Sequence, residues 1–540
     1  MKYISNKIQQ GISSNQLIIL VSIFLITFLN ITFFSNIIQV YPVNIKNISF
    51  LISLTWGFTA ATAFILSLAC TRYTIKPILI IILIISSFTG YFMDSYHAVI
   101  DESMIQNVMH TDINESLDLF SFTLVLYVIF LGITPSWLVY KSKLIFQRKW
   151  LELISRLKFT AIILISIISV ILIFSDYYYS FYREHKPLRY YSNPSYYIYS
   201  AVKYIKTSFK SASLPFKQIG LDATINPSSP TKLVIFVVGE TARANRFSLN
   251  GYQKITNPQL AKENIINFPN FWSCGTSTAV SVPCLFSKYS SDTYTKEKGL
   301  STENALDILK HAGVSLLWKD NNSSSLGVAD RIPYINYKSS KNNPICNDEC
   351  RDEGMLVNLQ KYINEHQNKN TFIILHQMGN HGPAYYKRYP KEFEKFSPIC
   401  KTNQLEDCSK ESLDNAYDNA ILYTDYFLAK IISLLKKNSL KQQTALFYVS
   451  DHGESLGEKR IYLHGLPNFV APDNQRHVPA IFWSSENFTG INKNILLKNK
   501  QEKYSHDYIF HSILGLMQVN TSEYNEQLDI FSSANQTKPQ

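Results

Sequence analysis

Five long apolar runs crowd the first third of the chain, at residues 16–34, 48–70, 76–93, 121–140 and 159–174. Runs of this length and composition cross a bilayer as helices, because a helix satisfies every backbone polar group without water. The first run is too long for a cleaved leader, and further spans follow it. Basic residues set the orientation. Lys2 and Lys7 precede the first span, Arg72 and Lys76 lie between the second and third, and Lys141, Lys143, Arg148, Lys149, Arg156 and Lys158 crowd the loop before the fifth. The loop at 94–120 has no Lys or Arg and carries Asp94, Asp101, Glu102, Asp112, Glu115 and Asp118. The bias of basic residues toward the inner side puts the N-terminus in the cytoplasm and everything after residue 174 outside.

The cysteines lead to the same side by a different route. Cys70 lies in an apolar run, whereas Cys274 and Cys284, Cys346 and Cys350, and Cys400 and Cys408 form close pairs after the last span. Local disulfides are the simplest reading and place that part of the chain in an oxidising compartment; metal-binding thiols are the competing one. The net charge of +11, from 52 Lys+Arg against 41 Asp+Glu, comes with no nucleic-acid motif. In a membrane protein it fits attraction to anionic lipid head groups.

These features divide the chain into a five-span membrane domain at 1–175, a bridging segment at 176–229 and a soluble domain at 230–540. The bridge is crowded with Tyr177, Tyr178, Tyr179, Tyr182, Tyr190, Tyr191, Tyr196, Tyr197 and Tyr199, which suits a water–lipid interface. In the soluble part, β-rich runs alternate with helical stretches, predicting a mainly parallel sheet covered by helices. Lys232–Gly239 delivers Glu240, 371–375 delivers His376, and 444–450 delivers Asp451 and His452. Sites in such folds form at the carboxyl ends of strands, so these side chains are expected to converge on one edge. Carboxylates and imidazole together suit Zn²⁺, and Gly453 is expected to let the backbone turn sharply there. A structural Asp–His pair and a helix-start glutamate are the plainer readings of the same residues.

Between Cys274 and Cys284 stand Thr276, Ser277, Thr278 and Ser281. A hydroxyl in such a turn, bound to zinc, becomes a nucleophile at neutral pH. The turn reads equally as a helix cap, and the spacing does not choose among the hydroxyls.

Four motifs carry a resemblance: VVGETARANRFSLNGY at 237–252, SCGTSTAVSVPC at 273–284, GNHGPAYYKRYP at 379–390 and SDHGESLGEKRIYLHGLP at 450–467. Together with the five spans they resemble the phosphoethanolamine transferases of the alkaline phosphatase superfamily, in detail the lipid A transferases that include the mobile colistin-resistance enzymes. The resemblance implies an α-helical membrane domain plus a periplasmic α/β/α sandwich of alkaline phosphatase/sulfatase type, in a multi-pass protein of the inner membrane. It implies Thr278 as nucleophile, with Glu240, Thr278, Asp451 and His452 around one Zn²⁺ and room for a second near His381 and His464. His376, His381 and His464 match histidines around the substrate, and Ser323 in DNNSSSLG at 320–327 matches a substrate-contacting serine. Asn107, Thr111 and Glu115 recur at i, i+4 and i+8, sharing one helical face, and match positions that bind the ethanolamine phosphate. The chain departs from the lipid A enzymes at Leu326, where they commonly carry a lysine.

The implied reaction takes phosphoethanolamine from phosphatidylethanolamine through Thr278 to a lipid A phosphate, in a monomer that binds no nucleic acid. The added ammonium weakens binding of polymyxins and other cationic peptides. Leu326 keeps open a transferase acting on core sugars of lipopolysaccharide. A sulfatase needs Cys or Ser followed by x-Pro-x-Arg, and Ser281-Val282-Pro283-Cys284 ends on Leu285 instead. A non-catalytic receptor with the same fold would be expected to lose metal ligands, and all four residues are present.

Overall fold

The computed structural model of the chain describes residues 11–110, 117, 119–183, 185–211, 215–347 and 349–532. It divides into two compact units: residues up to 105 with 120–203, and 106–119 with 204–540. Thr111 and Glu115 lie outside the described residues.

Among the described residues of the first unit, four helices are long and apolar enough to cross a membrane: Ile48–Ala69, Ile75–Tyr96, Phe122–Lys141 and Lys149–Ile173. The run expected as one continuous span at 16–34 is instead a pair, Ser14–Phe28 and Ile31–Val40, bent by 63°. Asn30 sits at the break. Its amide donates to Leu25 O at 2.9 Å and to Asn193 O at 2.8 Å, and its Oδ1 accepts from Asn193 N at 2.9 Å. Asn193 Nδ2 in turn donates to Leu29 O at 3.1 Å and Ser86 O at 2.8 Å. This buried amide pair serves backbone groups that an interrupted helix would strand in an apolar setting. Replacing Asn193 with alanine removes the donor from two buried carbonyls, which is expected to destabilise the unit by roughly 1–3 kcal/mol. Thermal melting of the full chain in detergent measures it; an unchanged melting temperature would show that other contacts hold the break.

The second unit is built on an eight-stranded sheet. In chain order its strands are β1 (Lys232–Gly239), β2 (Ile266–Trp272), β3 (Ser315–Asp320), β4 (Tyr334–Asn336), β5 (Thr371–His376), β6 (Gln443–Ser450), β7 (His477–Ser484) and β8 (Tyr504–Ser505). The order across the sheet is β8-β2-β7-β6-β1-β5-β3-β4. All neighbours pair parallel except β7, which runs antiparallel to both β2 and β6. Every residue of β1, β5 and β6 is buried. That is why these strands read as continuous Val, Ile, Leu and Phe runs rather than alternating ones. Side chains of β1, β5, β6 and β7 pack with those of Ala305–His311 and Ile509–Leu516 in one large apolar core.

The six paired cysteines form three local disulfides, Cys274–Cys284, Cys346–Cys350 and Cys400–Cys408, while Cys70 is a buried free thiol.

Candidate active site

Three neighbouring parallel strands, β6, β1 and β5, end side by side, and the residues at their carboxyl ends meet. Glu240 follows β1, Asp451 and His452 follow β6, and His376 closes β5. Carboxylate oxygens of Glu240 and Asp451 and a ring nitrogen of His452 lie within 4.8 Å of one another, all buried.

The surrounding backbone aims each group. Asp451 Oδ1 accepts from Thr241 N at 3.1 Å and His452 N at 2.6 Å, which leaves Oδ2 buried without a hydrogen-bond partner. Thr241 takes a positive φ of 51° to point its N–H there, a strained conformation for a β-branched residue that the surrounding structure must hold. The ring of His452 contacts Gly453 O through Nδ1 at 2.9 Å. As a donor in that bond, Nδ1 leaves the Nε2 lone pair facing the carboxylates. Gly453 is required for a different reason than the expected sharp turn: a Cβ there would stand 2.1 Å from Asn474 O. At Gly379, with φ +52°, a Cβ would lie 2.8 Å from Glu240 O.

The electrostatics of this cluster are those of groups that could hold a metal ion. Burial, and then the nearness of Asp451, push the Glu240 carboxyl well above the usual range, and burial raises Asp451 to about 7. Burial and the neighbouring His464 hold His452 neutral. Two buried carboxylates, one with an oxygen that makes no hydrogen bond, and an imidazole lone pair form a donor set suited to Zn²⁺.

Of the four hydroxyls between the cysteines, Thr278 is the one beside the cluster. Its Oγ1 lies 3.4 and 3.3 Å from the two Glu240 oxygens and 3.2 Å from His452 Nε2. It opens the helix Thr278–Leu285, which the Cys274–Cys284 disulfide ties back to the preceding turn. Thr276 instead donates to Leu466 O, and Ser277 and Ser281 are buried away from any partner.

His464 and His381 stand beyond His452, with ring centroids 4.4 Å apart for His452–His464 and 5.4 Å for His381–His464. Burial and the adjacent His464 keep His381 neutral, and its Nδ1 is buried without a partner. His376 Nδ1 contacts Asp320 Oδ2 at 3.1 Å, and its Nε2 is buried without a partner. Ser323 bonds Asn322 Oδ1 through both its N–H and its hydroxyl and so adjoins the cluster only indirectly.

Several residues that sequence reasoning passed over support the site. Asn322 Nδ2 donates to Glu240 Oε2 at 2.7 Å and to Gln377 O at 2.8 Å. It follows the end of β3 by two residues, and the strand-end argument applied to β3 would have found it. Glu454 Oε2 orients His464 Nδ1 at 3.2 Å. Gln106, beside Asn107, donates to Ala279 O at 3.2 Å, one residue past Thr278. Leu326 lines a cavity of about 680 Å³ with Ala279 and Pro283 of the Thr278 helix, and Lys296 lines the same cavity.

His311, His366, His477 and His511 have partners outside the cluster. His506 is buried and bridges: Nδ1 accepts from Cys274 N at 3.2 Å and Nε2 donates to Ser450 O at 3.0 Å. It thereby ties the Thr278 loop to the end of β6. Burial lowers its pKa from 6.5 to about 4. Between those values the unfolded chain binds a proton that the folded chain does not, so stability falls as pH drops from 6.5 to 4. The loss is on the order of 3 kcal/mol. His506→Gln can keep both hydrogen bonds without titrating, so its melting temperature is expected to fall less than that of the unaltered protein between pH 7 and 4.5. Identical pH profiles would remove His506 as a source of acid sensitivity.

Comparison with known proteins gives a consistent result. The sulfatase family profile matches residues 232–519, and that of the phosphoethanolamine transferases EptA/EptB matches 58–209. The phosphatidylethanolamine transferase Mcr-2 of Escherichia coli is 45% identical over 521 residues, covering 94% of this chain and 96% of its own length. The phosphoethanolamine transferase EptA of Escherichia coli K12 is 39% identical over 518 residues, covering 94% of each. The structure of the integral membrane lipooligosaccharide phosphoethanolamine transferase A from Neisseria meningitidis superposes with a TM-score of 0.94 at 33% identity, over 98% of this chain and 100% of that one.

Proposed function

This chain belongs to the phosphoethanolamine transferases of the alkaline phosphatase/sulfatase superfamily, and from that premise we propose that it moves phosphoethanolamine from phosphatidylethanolamine to a lipid A phosphate through Thr278. The observation that carries the reading is the position of Thr278 Oγ1, within 3.4 Å of Glu240 and His452 at the carboxyl edge of the sheet.

Glu240, Asp451, His452 and Thr278 would hold one Zn²⁺, with His381 and His464 beside a second. When bound, the ion supplies Lewis acidity at the threonine oxygen and at the phosphoryl group. In the first half-reaction the Thr278 Oγ1–P bond forms and the bond from phosphorus to the diacylglycerol oxygen breaks; the proton Thr278 gives up is the one the alcohol gains. In the second, a lipid A phosphate oxygen attacks the same phosphorus, the P–Oγ1 bond breaks, and the proton that the attacking phosphate hydroxyl gives up goes to Thr278 Oγ1. His376, His381 and His464 are hydrogen-bonding partners for the phosphoryl oxygens, which carry the developing charge. Asn107, Thr111, Glu115 and Ser323 hold the ethanolamine phosphate, a carboxylate matching the ammonium. Catalysis belongs to 230–540, bridged by 176–229 to the spans of 1–175, with the N-terminus cytoplasmic and the catalytic part periplasmic. As a monomer confined to the membrane surface, the enzyme meets two lipid substrates without a search through bulk water. The ammonium it adds lowers the attraction of the outer surface for polymyxins.

Leu326 favours a second reading, with core sugars as acceptor, because a cation expected for lipid A is missing there. Lys296 on the same cavity offsets that loss and keeps lipid A first. Mass spectrometry of lipid A from a bacterium expressing the chain tests it: a gain of one phosphoethanolamine is expected. Unmodified lipid A with modified core sugars would select the second reading, and no change in either would remove both.

A further inference from the structure

A second ligand site lies wholly inside the membrane unit. The helices Ile48–Ala69 and Lys149–Ile173 flank a groove of about 490 Å³. Leu54, Gly57, Phe58, Ala61 and Ile65 line it from the first helix, one continuous face by their spacing. From Leu54 to Ile65 the helix rises about 16 Å, which is one leaflet of a roughly 30 Å hydrocarbon core. Ile167 and Ile171 form the facing wall. The Lys149–Ile173 helix buries only Ile163 within the protein, so its apolar side chains are available to lipid.

One end of the groove differs in chemistry. Arg189, Ser192, Ser195, Tyr196 and Tyr199 line it there, together with Tyr178. Tyr178 marks this end as the membrane boundary: its hydroxyl bonds Ser53 O near the start of the first helix, and it follows the end of the second. Gly57 admits the ring, since a Cβ there would stand 3.0 Å from the Tyr178 oxygen. Arg189 is half-buried and, among the described residues, forms no ion pair; its guanidinium lies 5.8 Å from the Tyr190 ring centre. A half-buried cation at the mouth of an apolar groove one leaflet deep calls for an anion joined to a hydrocarbon chain.

We propose that this groove binds one membrane glycerophospholipid, with an acyl chain against Ala61, Ile65 and Ile171 and the phosphodiester at Arg189. The site is formed without Thr278 or the metal ligands and stands independently of the transfer reaction. Its volume falls within the range of specific small-molecule pockets, and guanidinium–phosphate pairing supplies the directional contact that plain apolar burial lacks.

The test uses the full chain, delipidated in detergent and titrated with dioleoyl-phosphatidylethanolamine or dioleoyl-phosphatidylglycerol, with bound lipid counted by native mass spectrometry. With phosphatidylglycerol one lipid is expected to bind saturably; phosphatidylethanolamine also enters the Thr278 site as donor, so in that arm the groove is read as the share of bound lipid that Arg189→Gln removes. Arg189→Gln removes the charge and leaves the wall; Ala61→Trp fills the wall and leaves the charge. Each is expected to lower occupancy at least tenfold, while Leu126→Trp, on another exposed apolar face, leaves it unchanged. Dioleoylglycerol, which lacks the phosphate, is expected to bind at least tenfold more weakly. Melting temperatures of all three variants identify any that fail to fold, and either of the first two suffices for the comparison. Equal occupancy in folded Arg189→Gln or Ala61→Trp and in Leu126→Trp overturns the site, as does equal binding of dioleoylglycerol.

Discussion

Thr278→Ala is expected to abolish phosphoethanolamine transfer, by about a thousandfold or more, while the fold persists. The nucleophilic oxygen has no substitute. Thr276 is committed to Leu466 O, and the hydroxyls of Ser277 and Ser281 are buried without a hydrogen bond to any cluster residue. Loss of a covalent nucleophile removes the whole pathway rather than one stabilising contact, so the effect exceeds that of any supporting residue. The substitution itself is mild. Alanine is a good helix former at the start of Thr278–Leu285, and the Cys274–Cys284 disulfide still braces the turn. Intact-protein mass spectrometry after exposure to phosphatidylethanolamine is expected to show one added phosphoethanolamine on the unaltered chain, mapped to the peptide holding Thr278, and none on the variant. Thr278→Ser keeps an oxygen and is expected to retain part of the activity. Unaltered transfer by Thr278→Ala would falsify the mechanism outright.

Asp451→Asn is expected to act in opposite directions on the metal-free and metal-loaded protein. Asparagine can still accept from Thr241 N and His452 N, so the backbone arrangement survives. The atom that changes is Oδ2, buried without a hydrogen bond and 3.3 Å from His452 Nε2. Replacing it with an amide removes a negative donor, and Zn²⁺ affinity is expected to fall at least about a hundredfold. Without metal, the sign reverses. The Asp451 pKa is raised from 3.8 to about 7 in the folded chain, so between those values the folded state binds the extra proton. Stability of the metal-free protein therefore falls as pH rises from 4 to 7, by an amount on the order of 4 kcal/mol. The variant escapes that loss. At pH 7.5 it is expected to melt above the unaltered protein in chelator and to gain little when Zn²⁺ is added, whereas the unaltered protein gains strongly. Equal Zn²⁺-induced shifts in the two proteins would rule out Asp451 as a ligand.

Much of this architecture was legible because it rests on local periodicity. Apolar runs long enough to span a bilayer, a basic bias in alternate loops and buried strands without alternation are properties of contiguous segments. They determined the membrane helices, the mainly parallel sheet and the placement of Glu240, His376, Asp451 and His452 at strand ends. The cysteine pairs were legible for the same reason, being separated by only 10, 4 and 8 positions.

What the tertiary structure decided involves partners far apart in the chain. The break at Asn30 depends on Asn193, 163 positions away, and the support of Glu240 on Asn322, 82 positions away. The bridge from Cys274 through His506 to Ser450 crosses 232 and then 56 positions. No local propensity marks such pairs, because each asparagine or histidine is unremarkable until folding removes water and leaves its polar atoms only one another. The same holds for Gly453, whose need for a missing Cβ comes from Asn474 O rather than from its own turn. Spacing does not choose among the four neighbouring hydroxyls; the family resemblance points to Thr278, and the approach of two strand ends sets its oxygen beside the cluster. The sequence by itself determined which edge of the sheet would gather acids and histidines; the packed chain decided which oxygen stands beside them.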